Sequence, residues 1–363
     1  MSKLVRKATA HAGKISALDL EVVDVFGFGP MGATVTALRN GDGNLQLIKW
    51  RVSGDGASIE RIGDAHAGAV SEVATTVVHY HVVTAVKNGS GKLEVISWTQ
   101  DLVREGTSAS GESASQIAIC PFLYENNPDF FATGHSDSKG DLRVEVWTLS
   151  ASGLPAFRGA ATAGAASEVA LAFLGFGAGA RYRFVTAVRN GAGELELIQW
   201  SASADGTSVQ RLGSTSAGSA SQISLCALGD LLFTSLRNGS GNLEIITWRS
   251  HTNGTIDRLD TVLAGSVSGV SSALSFDASG AQFLTTAVRN GGQNLELIDW
   301  KVHGSGVLQR TSSIDAGSVS RALIRSAWNS QNPGTLNPAP NTVLISALRN
   351  AASELELISW TRE

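Results

Sequence analysis

With 363 residues, 43% of them hydrophobic and 17% charged, the chain has the composition of a folded globular protein, and 40 Gly against 7 Pro suit many tight turns. A net charge of −4 and a pI near 6.0, with no basic run, exclude a binder of the nucleic-acid backbone. No apolar run approaches the roughly 18 residues a membrane span needs, so insertion of a helix into a membrane is excluded as well.

The N-terminus, Met1-Ser-Lys-Leu-Val-Arg-Lys, lacks the apolar core of a signal peptide and passes directly into repeated sequence. The expected location is therefore the cytoplasm, or outside the cell by a non-classical route. Residues Leu4 to Leu18 (L-V-R-K-A-T-A-H-A-G-K-I-S-A-L) open a series of strand, small-residue crossing and strand that returns at Ile59 to Val73 and Val209 to Ile223, and near Leu102, Pro155, Ile256 and Leu308. Between its members stands a second series. Thr36 to Trp50 reads T-A-L-R-N-G-D-G-N-L-Q-L-I-K-W, and its relatives run Thr84 to Trp98, Thr186 to Trp200, Thr234 to Trp248, Thr286 to Trp300 and Ser346 to Trp360. A worn copy lies near Thr133 to Leu149.

Each copy of the second series reads as a β-hairpin: alternating β-branched and aliphatic residues, an Asn-Gly centre tolerant of the positive φ of a tight turn, and a second alternating run. Seven copies give a period of about 52 residues, in the range of propeller blades. The expected fold is all-β: one domain over 1–363, a seven-bladed β-propeller of four-stranded antiparallel blades. The chain starts with an outer strand and ends with a hairpin. The N-terminal strand is therefore expected to pair with the C-terminal blade and close the ring, leaving no sheet edge open.

Strand order puts the R-N-G-x-G turns and the small-residue crossings on one face, the top. Arg39, Lys87, Arg189, Arg237, Arg289 and Arg349 stand before the turns, each followed by Asn40, Asn88, Asn190, Asn238, Asn290 or Asn350. Two readings compete. In one, each base pairs across the hairpin with the following acid, Arg189 opposite Glu196, and fixes register. In the other, Arg and Asn form a repeated ligand-binding rim, joined by His11 and His66 at one crossing position. In the worn copy, an ungapped alignment puts Ser136 and Arg143 at the Arg and Glu positions, whereas a two-residue insertion keeps Glu145 there; both stay open. Asp137-Ser-Lys-Gly-Asp141 reads as a plain turn more than a calcium loop. Cys120 and Cys226, equivalent positions two blades apart, read as core thiols. His79 and His81 lack a third ligand, so no metal and no cofactor are expected.

A serine opens each inner strand, and the next residue varies: Ala17, Glu72, Gln116, Glu168, Gln222, Gly269 and Arg321. The unequal set Glu72, Glu168 and Arg321, with His66, is the candidate catalytic group at the top mouth of the channel, because catalysis needs an asymmetric arrangement. The bottom connections, Val25 to Gly32, Pro121 to Phe130 and Ser326 to Asn341, differ most among blades and would suit protein partners.

The phrase R-N-G-S-G-N-L-E-I-I, Arg237 to Ile246, resembles the repeats of bacterial propeller lectins of the Photorhabdus type, which bind fucose and related sugars between blades. That resemblance implies a multivalent, non-enzymatic carbohydrate-binding propeller whose partner is a glycan or other small polar ligand, with repeated sites giving avidity. The alternatives are an enzyme with one site at the channel mouth and a protein-interaction scaffold. Homo-oligomerisation is left open.

Overall fold

A computed structural model of the protein describes residues 3–22, 31–122, 129–177, 181–277, 279–326 and 343–363. The bottom connections singled out above fall largely outside the described residues. All regular elements among the described residues are β-strands, and no helix is long and apolar enough to cross a membrane.

The strands form consecutive antiparallel ladders. The first joins β1 (Leu4–Val22), β2 (Met31–Asn40), β3 (Asn44–Ser53) and β4 (Ile59–Val78). From β4 the chain continues through β5 (His81–Asn88), β6 (Lys92–Trp98) and β7 (Arg104–Ser113). Next come β8 (Ser115–Pro121), β9 (Phe130–Ser136), β10 (Asp141–Leu149) and β11 (Pro155–Gly177). The ladder of β11, β12 (Arg181–Asn190), β13 (Glu194–Ala202) and β14 (Val209–Leu228) leads into β15 (Leu231–Asn238), β16 (Asn242–Ser250) and β17 (Ile256–Phe276). Finally β18 (Gln282–Asn290), β19 (Asn294–Val302) and β20 (Leu308–Ser326) are followed by β21 (Leu344–Asn350) and β22 (Glu354–Arg362).

The small-residue crossings do not interrupt the strands. In β1, β4, β11, β14, β17 and β20 the outer strand of one ladder runs on as the inner strand of the next, with a register shift at the passage. Only at Ala114 does the crossing separate two strands, β7 and β8. Gly, Ala and Ser leave no bulk where the two ladders part, which suits a continuous extended backbone.

The chain ends meet. The outer half of β1 pairs with β22 from Leu4↔Arg362 to Lys14↔Glu354, and Leu4 is fully buried. Arg362 then reaches the adjacent ladder: its guanidinium holds both carboxylate oxygens of Asp299 at 2.8 Å, donates to Thr285 and Ser275, and lies 4.5 Å from the centre of the Phe283 ring. Asp299 is fully buried, so this clasp is a desolvated ion pair, satisfied through Nε and Nη2 of Arg362, while Nη1 is buried with no hydrogen-bond partner among the described residues.

Seven tryptophans anchor the hairpins. Trp50, Trp98, Trp147, Trp200, Trp248, Trp300 and Trp360 are buried, and each indole N–H donates to the Thr or Ser hydroxyl fourteen residues earlier at 2.9–3.2 Å. A buried indole needs such a partner. Trp147 with Thr133 settles the worn copy in favour of the ungapped alignment, with Ser136 at the Arg position and Arg143 at the Glu position.

Register departs from the expected cross-hairpin pair. Arg189 stands opposite Leu195, and Glu196 opposite Val188. The turn is longer than a two-residue one. Asn190 O accepts from Gly193 N, the positive φ falls on Gly193 (78°), and Asn190 Oδ1 accepts from the amides of Ala192 and Glu194. A one-residue slip moves side chains to opposite faces. Glu196 therefore meets Arg211 of the outer strand, at 2.9 Å, while Arg211 also reaches Ser214. The same pairing recurs in Arg6–Glu356, Arg104–Glu94, Arg258–Glu244 and Arg310–Glu296 at 3.2–3.6 Å, each Arg opposite its blade's Trp.

Candidate functional site

The top-rim residues take part in the fold, although Nε of Arg189 and of Arg349 has no hydrogen-bond partner among the described residues and Arg39, Lys87 and Asn88 also line a smaller cavity. Oδ1 of Asn40, Asn88, Asn238, Asn290 and Asn350, like that of Asn190, accepts two backbone amides of its own turn. Asp137 does the same in the worn copy, a plain turn. The bases brace the next crossing. Nε of Arg39, Arg237 and Arg289 donates to the carbonyls of Val70, Val267 and Val319 at 2.7–2.9 Å. Arg39, Arg189 and Arg289 also reach Ser16, Ser167 and Ser268. Arg349 donates to Ser353, and Lys87 lies 3.9 Å from Glu72. His11 stands opposite Glu356 on β22, and His66, opposite Gln46, is joined to Asp64 at 3.0 Å. Both histidines belong to the outer halves of their strands, away from the inner strands that line the channel.

The inner strands surround a cavity of about 1140 Å³. Of the expected catalytic group, Glu168 and Arg321 line it. Glu72 and Glu168 play one structural part in two places. Glu72 Oε2 accepts Gln116 N at 2.6 Å and Ile117 N at 3.4 Å, and Glu168 Oε2 accepts Ile223 N at 3.1 Å. Gln116 and Gln222 hold positive φ, 57° and 55°, so each carboxylate caps a bulge in the neighbouring inner strand. Burial raises the Glu168 carboxyl above the usual range, against the pull of those amides and of Arg189.

A second group stands deeper, on β1, β4 and β20. Asp19 Oδ2 accepts Thr75 N at 2.7 Å, and its other oxygen is 3.7 Å from Arg325. Burial raises the Asp19 carboxyl from its ordinary value, although Arg325, two backbone amides and Arg321 oppose the shift. Desolvation weighs on Arg325 too, but Asp19, Glu21 and Cys226 carry its pKa upward. Arg321 is exposed to the lumen and, among the described residues, its guanidinium makes no hydrogen bond and no ion pair. Confinement by the walls lowers its pKa, while Asp19 and Glu72 favour its charge. The result is an unspent cation beside a carboxylate of raised basicity, both facing a cavity of ligand size.

Asp19 and Arg325 escaped the sequence reading, which looked only at the residue after the repeated serine. Three residues after that serine the other strands carry Ala74, Ala118, Ala170, Ser224, Ser271 and Leu323, where β1 has Asp19. Five residues after it stand Thr76, Cys120, Ala172, Cys226 and Ala273, where β1 and β20 have Glu21 and Arg325. Charge at positions otherwise small or apolar was the available signal. Cys120 and Cys226 are free thiols in the same wall, and burial pushes Cys120 up to about 12.

No protein-family model and no curated protein matches the sequence. Solved structures do match. A candidate 6-phosphogluconolactonase from Bacteroides uniformis aligns over 82% of this chain and 85% of its own, with 16% identity and a TM-score of 0.58. The periplasmic gluconolactonase of Pseudomonas aeruginosa aligns over 85% and 87%, with 14% identity and a TM-score of 0.57. Sqt1 of Saccharomyces cerevisiae aligns over 99% of both chains, with 13% identity and a TM-score of 0.54. These likenesses correct the expectation of a multivalent, lectin-like propeller with a glycan partner: the similar structures include proteins named as lactonases. At such identities the likeness is one of fold, and the chain is an all-β, β-propeller protein.

Proposed function

We propose that the protein is a hydrolase that opens a cyclic ester, a lactone, at a single site in the central channel, with Asp19 as general base and Arg321 as the cation that receives the developing oxyanion. One observation carries this reading: Arg321 faces the lumen with its guanidinium unspent, within electrostatic reach of Asp19, which lines the same cavity and whose carboxyl pKa burial raises. The names of the similar lactonases supply the reaction class.

In the proposed reaction Asp19 takes a proton from water as the water oxygen bonds to the lactone carbonyl carbon. The carbonyl electrons move to oxygen, where Arg321 stabilises the negative charge. The ring C–O bond then breaks, and the leaving alkoxide takes the proton back from Asp19. Arg325 is a positioning residue, holding Asp19 together with the Thr75 amide.

The ring is proposed to be a single domain of seven blades with four strands each. In support, the six long strands each serve two ladders, so that 22 strands fill every position of the repeated hairpins and their closing partners.

The test is ring opening of a lactone panel followed by pH-stat titration for the native protein and Asp19→Asn. The reading expects turnover that falls about 10²-fold or more in the variant. Equal rates in the two proteins would remove Asp19 from the chemistry.

A further inference from the structure

The channel wall is divided. On the side of β1, β4 and β20 stand Asp19, Glu21, Thr75, Arg321 and Arg325. Opposite them, below the glutamates and glutamines of the mouth, β8, β11 and β14 carry Ile119, Leu171, Phe173, Leu174, Leu225 and Leu228, each packed in part on a core between ladders and each, half-buried, keeping some surface on the same cavity. The corresponding residues of the β4 and β17 inner strands, Val77 and Leu274 among them, are buried in the cores between ladders. Apolar surface left open to a cavity costs free energy unless a ligand covers it. At about 1140 Å³ the cavity also exceeds the roughly 300–1,000 Å³ of ordinary small-molecule pockets, more than one hydroxylated sugar ring would fill.

Resting on the hydrolase reading, we infer that the substrate is amphipathic: a lactone whose carbonyl end lies at Arg321 and Asp19 and which carries an aliphatic chain of several carbons against the β8, β11 and β14 wall. A fully hydroxylated sugar lactone would leave that wall wet and its own hydroxyls facing leucines. Each methylene of the chain removes apolar surface from water on both partners, so binding should strengthen as the chain grows.

The experiment compares γ-butyrolactone, γ-nonalactone, γ-dodecalactone and glucono-δ-lactone, reading kcat/KM for turnover and Kd by calorimetry. The inference expects kcat/KM to rise about three- to fourfold per methylene. That dependence should flatten in Leu225→Asn, read as the ratio of kcat/KM for γ-dodecalactone to that for γ-butyrolactone, which should fall towards one. If Leu225→Asn does not fold, Leu225→Phe serves: narrowing the wall should cut off γ-dodecalactone before γ-nonalactone. Flat chain-length dependence, or preference for glucono-δ-lactone, overturns the inference and leaves the hydrolase reading standing. Chain-dependent binding without turnover of any lactone keeps the amphipathic site and overturns the hydrolase. Neither binding nor turnover overturns both.

Discussion

His135 on β9 provides a sharp stability test, because the worn copy departs from its relatives in the core. It is fully buried in the column that holds Leu38, Val86, Val188, Leu236, Val288 and Leu348 elsewhere, and neither ring nitrogen has a hydrogen-bond partner among the described residues. Arg143 stands opposite it, with Asp137 nearby and Glu145 on the same face. Burial first, and then Arg143, lowers the imidazole pKa from 6.5 to about 4. A basic group depressed in the folded state is protonated first in the unfolded chain. Its contribution is therefore full above about pH 6.5 and is lost as the pH falls towards 4. At about 1.4 kcal/mol per unit the loss comes to roughly 3 kcal/mol. His135→Leu restores the residue type of the other blades and should remove that part of the acid destabilisation. At neutral pH it should add about 1–3 kcal/mol by eliminating two unpaired buried nitrogens. Urea titrations of both proteins between pH 7.5 and 4.5 measure the difference, with Glu145 and the surface carboxylates common to both. A difference independent of pH would refute the assignment of the buried neutral histidine.

Other contacts yield equally definite outcomes. Arg362→Ala leaves the buried Asp299 carboxylate uncompensated and should cost about 3–5 kcal/mol in urea unfolding. Deleting residues 1–10 removes most of the β1–β22 pairing and should lower the Tm of the whole ring, not of one blade. Thr186→Val strands the Trp200 indole N–H and should cost about 1–3 kcal/mol, with the loss visible in near-ultraviolet dichroism. A double-mutant cycle between Glu196 and Arg211, a half-exposed pair, should give a coupling under about 1 kcal/mol, while a cycle between Glu196 and Arg189 should give none.

The repeated hairpins made the propeller legible because their residues answer to backbone and burial: a small residue where strands cross ladders, Asn to cap its turn, Trp with a hydroxyl fourteen residues earlier. The Arg–Glu partnership was not legible in the same way. The first Gly of Asn190-Gly191-Ala192-Gly193 looked like the turn residue, yet the left-handed conformation falls on Gly193, and the resulting one-residue difference moves Glu196 from Arg189 to Arg211. Function was least legible. Glu72 and Glu168 carry the chemistry of a base, but bulges at Gln116 and Gln222, unpredictable from a single sequence, each take one of their carboxylate oxygens. Asp19 and Arg325 lie 306 positions apart in the chain and meet only because β1 closes the ring beside β20.

The measurement that bears most directly on the channel as the active site is the kinetics of Arg321→Met on a lactone the native protein opens, beside Arg189→Ala on the top rim. If Arg321 receives the oxyanion, its loss lowers kcat by about 10²–10³ with a smaller change in KM, and Arg189→Ala leaves kcat near that of the native protein. Native kcat in Arg321→Met, or an equal loss in Arg189→Ala, would contradict a single site in the channel.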